Sequence, residues 1–200
     1  MMTIVDYGLG NVLALATVYK KLNVPVALAR EASQLQAASK IILPGVGAFD
    51  HAIELLDASG MRQALDTKVR GGTPVLGICV GMQMLGSASD EGRLPGLGWV
   101  EGRVRRFEVR NDYPLPHMGW NDVRAMRGEG LFTGLERDAR FYFLHSYYFE
   151  CTRPEDVLAV ADYGGEFGCA VNAGTVYGVQ FHPEKSHHFG TQVLKNFADL

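Results

Sequence analysis

Cys79 stands in the stretch Gly77-Ile78-Cys79-Val80-Gly81, after the apolar run Pro74-Val75-Leu76 and before the helix-like segment Met82-Gln83-Met84-Leu85. Strand, G-x-C-x-G, helix is the thiol counterpart of the serine nucleophile elbow. Such a turn brings strand and helix backbones close together, so a side chain at Gly77 or Gly81 is predicted to clash. The elbow places the sulfur above the sheet edge in a strained conformation, beside backbone N–H groups at a helix start. Those donors and the helix dipole both favour a thiolate. The competing reading of the pattern is a buried structural thiol.

A cysteine nucleophile needs a base, and the segment His182-Pro183-Glu184-Lys185-Ser186 supplies one. His182 can take the thiol proton and later protonate a leaving group. Glu184 lies two residues on, so in an extended segment both side chains leave the same side, and the carboxylate can hold the imidazole in one tautomer. Pro183 stiffens the connection. Acyl transfer also needs an oxyanion hole. The Val80 N–H is one candidate donor, and the Gly45-Val46-Gly47 loop offers a second at Val46, because glycine neighbours let a peptide unit turn inward.

These residues must be positioned by elements, and the apolar periodicity predicts them. Strands are expected at Thr3–Tyr7, Val26–Ala29, Lys40–Leu43 and Pro74–Ile78. Helices are expected from an Asn11 cap to Leu22, near Glu31, over Asp50–Leu56 and over Met61–Val69. After about residue 95, segments Val100–Val109, Asp122–Val123, Phe141–Leu144, Leu158–Tyr163 and Cys169–Val171 read as more antiparallel strands. Thr175–Phe181 returns to a buried strand ending at His182, and a helix over Gly190–Phe197 closes the chain. The βα alternation predicts an α/β fold with an open, mainly parallel mixed sheet, flavodoxin-like, helices on both faces, and one domain over residues 1–200. In such sheets function collects at the carboxyl ends of strands, where all three motif segments fall.

Composition narrows the class. A net charge of −3 and 20% charged residues give no basic excess pointing to nucleic acid or a membrane surface. Three cysteines without paired spacing argue against a disulfide framework and fit a reducing, cytoplasmic setting. Met2–Asp6 has no basic n-region, and no apolar run approaches a membrane span, so neither leader nor anchor is expected.

Together, G-I-C-V-G-M-Q, P-G-V-G-A-F and Q-F-H-P-E-K-S resemble the triad-type (class I) glutamine amidotransferases. The stretches Asp6–Asn11, Pro44–Phe49, Pro116–Asn121, His145–Tyr148 and Phe181–Ser186 are similar to the histidine-pathway branch of that family. The resemblance implies that Cys79 attacks the glutamine carboxamide and forms a glutamyl thioester, with His182 as acid/base and Glu184 orienting it. It implies that Gln83, Gly47 and the Ser146 segment hold glutamine, and that the Val46 peptide switches its N–H inward when a partner is occupied. It further implies no cofactor or metal, and a heterodimer with a cyclase/synthase subunit that receives the ammonia, faced by Asn11, Trp120 and Lys185. Val80 stands where the family commonly has leucine, a change that keeps the backbone donor. His187-His188 and Phe149-Glu150-Cys151 resemble paralogues serving surface-polysaccharide sugar synthesis.

Other features read as structural. Cys151 and Cys169 lack an adjacent base. His187-His188 has no ligand spacing to complete a metal site. Arg103, Arg105 and Arg106 are expected on an exposed strand face, Trp120 as an exposed interface aromatic, and His145 has no assigned role. Two other classes of function compete with the glutaminase reading: a stand-alone cysteine hydrolase, and a non-catalytic regulatory module.

Overall fold

The computed structural model describes residues 1–108 and 111–200. In chain order the elements are β1 (Met2–Val5), α1 (Val12–Lys21), β2 (Val26–Ala29), β3 (Lys40–Gly45), α2 (Phe49–Ala58), α3 (Arg62–Arg70), β4 (Val75–Cys79) and α4 (Val80–Gln83). Then follow β5 (Gly102–Arg106), β6 (His117–Asp122), β7 (Arg124–Ala125), β8 (Arg140–His145), β9 (Tyr147–Cys151), β10 (Val157–Asp162), β11 (Glu166–Ala173), β12 (Val176–Val179) and α5 (His187–Asp199). Eight strands form one sheet in the order β2-β1-β3-β4-β12-β11-β10-β7. Pairing is parallel from β2 to β12 and antiparallel from there to β7. Two separate antiparallel pairs, β5/β9 and β6/β8, lie outside it.

Every residue of β1 and β4 is buried, as a strand covered on both faces requires. The helix α1 turns Leu15 and Tyr19 inward, and the Tyr19 hydroxyl donates to the Leu194 carbonyl of α5, fastening the two helices together. Between β3 and β4 the register sets Gly45 opposite Cys79, so the Gly45–Gly47 loop and the elbow are direct neighbours. On the other flank β12 pairs with β4 and delivers the chain to His182.

The predicted parallel half is observed with shifts of at most two residues. The first strand stops at Val5; Asp6 donates to the Ala29 carbonyl, and Tyr7 turns in to bond Pro44 instead. Asn11 stands at the start of α1, but its side chain makes no capping bond. The turn near Glu31 is a single 3-10 turn, Ala32–Leu35. Boundaries drift further in the second half. The strand expected at Asp122–Val123 is the end of β6, and Val123 falls between β6 and β7. The strand expected at Val100–Val109 is β5, five residues long, with Val109 outside the described residues. The last helix starts at His187, three residues early. Strand β9 had no counterpart in the periodicity reading: only Phe149 of its five residues is fully buried, so alternation is weak.

Close backbone packing at the elbow has a measurable consequence. A Cβ at Gly77 would sit 2.6 Å from the Gly81 carbonyl oxygen, and one at Gly81 would overlap the Leu43 carbonyl. Gly60, at φ +71°, has open space around it. Gly81→Ala should therefore cost about 3 kcal/mol or more, or leave the chain insoluble, because backbone on two sides must move. Gly60→Ala should cost about 1–2 kcal/mol from its left-handed backbone alone. Denaturant unfolding of the two variants beside the parent protein measures the contrast.

Candidate active site

The elbow holds Cys79 at φ +56°, ψ −114°, a conformation that L residues rarely adopt. Strain of this kind costs of order 1–3 kcal/mol and persists only where packing enforces it. Here enforcement comes from the glycines: with no side chain at Gly45, Gly77 or Gly81, α4 sits directly against β3 and β4. Behind the elbow, the buried Tyr7 hydroxyl donates to the Pro44 carbonyl at 2.8 Å and approaches the Met84 sulfur at 3.6 Å, tying loop and helix together. Burial, with Cys79 nearby, keeps that phenol protonated.

His182 and Glu184 meet Cys79 from the neighbouring strand. The His182 Nδ1 lies 3.0 Å from Glu184 Oε1, and both side chains are almost completely buried. Their approach differs in one respect from the extended geometry expected: Pro183–Lys185 is a 3-10 turn, and Glu184 curls back to the imidazole through it. The turn is pinned from both ends. The His182 N–H donates to the Tyr142 carbonyl, and the buried Ser186 hydroxyl donates to the His182 carbonyl while accepting the Tyr142 N–H. Burial opposes a charged imidazole, but hydrogen bonds from His182 to Cys79 and Glu184, reinforced by their charges, lift it to about 10. The ring accordingly holds a proton at neutral pH, next to the sulfur.

A cavity of about 340 Å³ opens over these groups. Cys79, Val80, Gln83, Val46, Gly47, Ser146, His182 and Lys185 all line it, so the predicted nucleophile, base, loop and binding residues converge on one space. Lys185 stands at its wall with its ammonium 5.7 Å from the Tyr142 ring. Asn11 and Trp120 lie outside it. Asn11 borders a separate depression with Asp6, Gly10 and Leu13, and Trp120 is 41% exposed, stacked on His187. A larger groove, about 630 Å³, runs along Asp122, Asp138, Arg140 and Asp162, but no cysteine or histidine lines it. Among the described residues no group of three His, Cys, Asp or Glu could hold a metal ion.

Three participants escaped the motif reading. Among the described residues Glu91 is the one carboxylate lining the cavity; its Oε2 accepts the Phe49 N–H at 2.9 Å, and burial raises its pKa. Gln180 is fully buried beside Cys79. The third is a histidine pair. His145 Nδ1 lies 2.7 Å from the Tyr147 carbonyl, which can only accept, so Nδ1 carries the hydrogen and Nε2 is the acceptor. His117 Nδ1, at 2.9 Å, must then donate to it, and His117 Nε2 accepts from the Asn121 amide. Both rings are satisfied only when neutral, and burial lowers them to about 4 for His117 and about 3 for His145. His145, which had no assigned role, thus clamps the Tyr147 carbonyl at the cavity wall.

The discounted groups stay discounted. Burial pushes the Cys151 thiol up to about 12 and that of Cys169 higher still. Arg103 is exposed and Arg105 half-buried, and they are ion-paired with Asp90 and Glu150 respectively.

A strained cysteine at a strand-to-helix turn, with a carboxylate-paired histidine following the adjacent strand, is an arrangement suited to catalysis by a thiol nucleophile. The model of the glutamine amidotransferase class-I family matches residues 3–200, and the chain belongs to that family. It is 62% identical over the full length of both chains to the imidazole glycerol phosphate synthase subunit HisH of Bdellovibrio bacteriovorus. The same-named subunit of Leptospira interrogans is 49% identical, again with full coverage of both. Among solved structures, a glutamine amidotransferase superposes with a TM-score of 0.78 at 20% identity, covering 99% of this chain and 97% of the other. PurLQS from Thermotoga maritima gives 0.76 at 18% identity, with the same coverage.

The histidine pair makes stability depend on acid. Unfolded, both imidazoles titrate near 6.5; folded, they titrate near 4 and 3. Between those values the unfolded chain binds more protons, so stability falls as pH drops through the window and levels off below it. The loss between pH 6.5 and pH 4 should be on the order of 3 kcal/mol for each ring, about 5 kcal/mol for the two together. Urea unfolding across this range should show a steeper decline for the parent than for a His117→Gln, His145→Gln double variant. Equal slopes would remove the pair from the acid response.

Proposed function

We infer that this chain is the glutaminase subunit of an imidazole glycerol phosphate synthase, its 200 residues forming one amidotransferase unit. The observation that carries the reading is the convergence of Cys79, His182 and the Val46-Gly47 loop on one 340 Å³ cavity, with Glu184 paired to His182, a space suited to a molecule of glutamine's size. The Cys79 sulfur attacks the carboxamide carbon of glutamine, and the oxygen takes up negative charge against the backbone donors of Val46 and Val80. His182 gives its proton to the departing nitrogen, so ammonia leaves and a glutamyl thioester remains. Water then attacks the thioester carbon, loses a proton to His182 and releases glutamate as the C–S bond breaks. Glu184 keeps the imidazole in one tautomer through both steps.

Gln83, Gly47 and the Ser146 segment line the place where the amino-acid end of glutamine would lie. Glu91 is the counter-charge available there for its α-ammonium group. The ammonia needs an acceptor, and the surface around the cavity favours a partner over a stand-alone hydrolase. Leu144 and Val46 at the cavity, with Met118 and Trp120 on the paired strand, leave 36–65% of their surfaces open. A cluster of apolar side chains of this kind marks a protein interface. A cyclase/synthase subunit docked on it, with Asn11, Trp120 and Lys185 in contact, would take the ammonia to make imidazole glycerol phosphate and release AICAR. Among the described residues no helix is long and apolar enough to cross a membrane.

Cys79→Ala should abolish glutamine hydrolysis while the complex with the synthase subunit still turns over with free ammonium. Equal loss of both activities would count against the reading. Glu91→Gln keeps an acceptor for the Phe49 N–H but removes the charge. It should raise KM for glutamine about tenfold or more with little change in kcat, as steady-state kinetics will show.

A further inference from the structure

Gln180 is completely buried, so its side-chain amide is out of contact with bulk solvent. A buried amide costs free energy unless its polar atoms are paired, so its partners explain why a glutamine is kept there between Val179 and Phe181. Gln180 Oε1 accepts from Gln83 Nε2 at 3.0 Å, and Gln180 Nε2 lies 3.8 Å from the Cys79 sulfur, within reach of a hydrogen bond to sulfur. The direction of this chain is set from the far end. Gln83 Nε2 also donates to the Tyr147 carbonyl at 3.2 Å, the carbonyl that His145 holds in place. Both Gln83 amide hydrogens are thus engaged, and its carbonyl oxygen is what Gln83 offers to the cavity. Gln180 must then turn its oxygen to Gln83 and its N–H to the sulfur.

We propose that Gln180 is a positioning residue that couples the nucleophile to the substrate-binding amide: one end hydrogen-bonds the Cys79 sulfur, the other fixes Gln83 with its carbonyl oxygen facing the cavity. The N–H end acts on the charged form of the nucleophile, because a thiolate accepts hydrogen bonds far better than a thiol. The oxygen end acts on recognition. With Gln180 in place, Gln83 Oε1 and the Glu91 carboxylate are two acceptors on the same cavity, a pair matched to an ammonium group. The substrate half of this proposal rests on the glutaminase reading; the thiol half does not.

Two variants separate the ends. Gln180→Met fills the space and removes both bonds. Gln180→Glu keeps an oxygen for Gln83 and removes the N–H donor. In the complex with the synthase subunit, Gln180→Met should raise KM for glutamine about tenfold, whereas Gln180→Glu should stay within about threefold of the parent. Alkylation of Cys79 by iodoacetamide at pH 7, followed on the full chain with Cys79→Ala as the blank, should slow about fivefold to tenfold in both variants. Ammonium-dependent turnover should be retained in both. Parental KM and alkylation rate in Gln180→Met would overturn the proposal. So would equal KM losses in the two variants, since a merely structural amide does not distinguish them. If the parent complex fails to hydrolyse glutamine, the glutaminase reading falls, while the alkylation rates still decide the thiol half.

Discussion

Between β4 and α4 the chain reverses within one residue, at Cys79, and the surrounding structure is arranged to make that reversal possible. The backbone there is held at φ +56°, against the preference of any residue with a side chain. Three glycines allow it by letting β3, β4 and α4 approach to backbone contact, and the parallel register places the Gly45–Gly47 loop beside the sulfur as a result. Even β12 conforms: a Cβ at Gly178 would come within 2.6 Å of Met82 in α4. The strain at one residue is thereby held by close contacts among four elements.

Around this reversal runs a set of largely buried polar groups whose hydrogen bonds converge on the Tyr147 carbonyl and diverge from the Gln83 amide. From Asn121 the chain of donors passes through His117 and His145 to the Tyr147 carbonyl, where Gln83 joins it and leads through Gln180 to Cys79. In a buried setting each donor must find an acceptor, so one assignment of hydrogens fixes all the rest. The same condition holds the two outer histidines neutral and leaves His182 as the protonated ring at the sulfur. Three histidines in one region therefore differ in charge because their partners differ: carbonyl and amide for two of them, sulfur and carboxylate for the third.

Much of the site was legible in the sequence because its signals are local. Gly77, Cys79 and Gly81 fall within five residues, a spacing that reads as an elbow although the clash that excludes a side chain at Gly81 is with Leu43, and His182 and Glu184 lie two residues apart. The parallel strands were legible for a related reason: buried on both faces, they read as short apolar runs between glycine-bearing turns. Strand β9 was not, since its half-exposed residues carry no clear alternation. Glu91, Gln180 and His117 were missed because nothing near them in the sequence distinguishes them from surface or core polar residues. Gln180 in particular sits within a quoted motif, yet its partners Gln83 and Cys79 are 97 and 101 residues away.

The sequence by itself determined the chemical identities and the local turns: a thiol in an elbow with glycine two residues to either side, a histidine followed two residues on by a carboxylate, and an α/β alternation that sends strand ends to one edge. Tertiary structure decided the protonation states and the partners. Whether His145 is a base or a neutral clamp depends on a carbonyl and a second histidine brought up from β6, and whether Gln180 is filler or donor depends on which way Gln83 is turned. Those properties follow from burial and hydrogen-bond direction, which exist only once distant segments have removed the water between them.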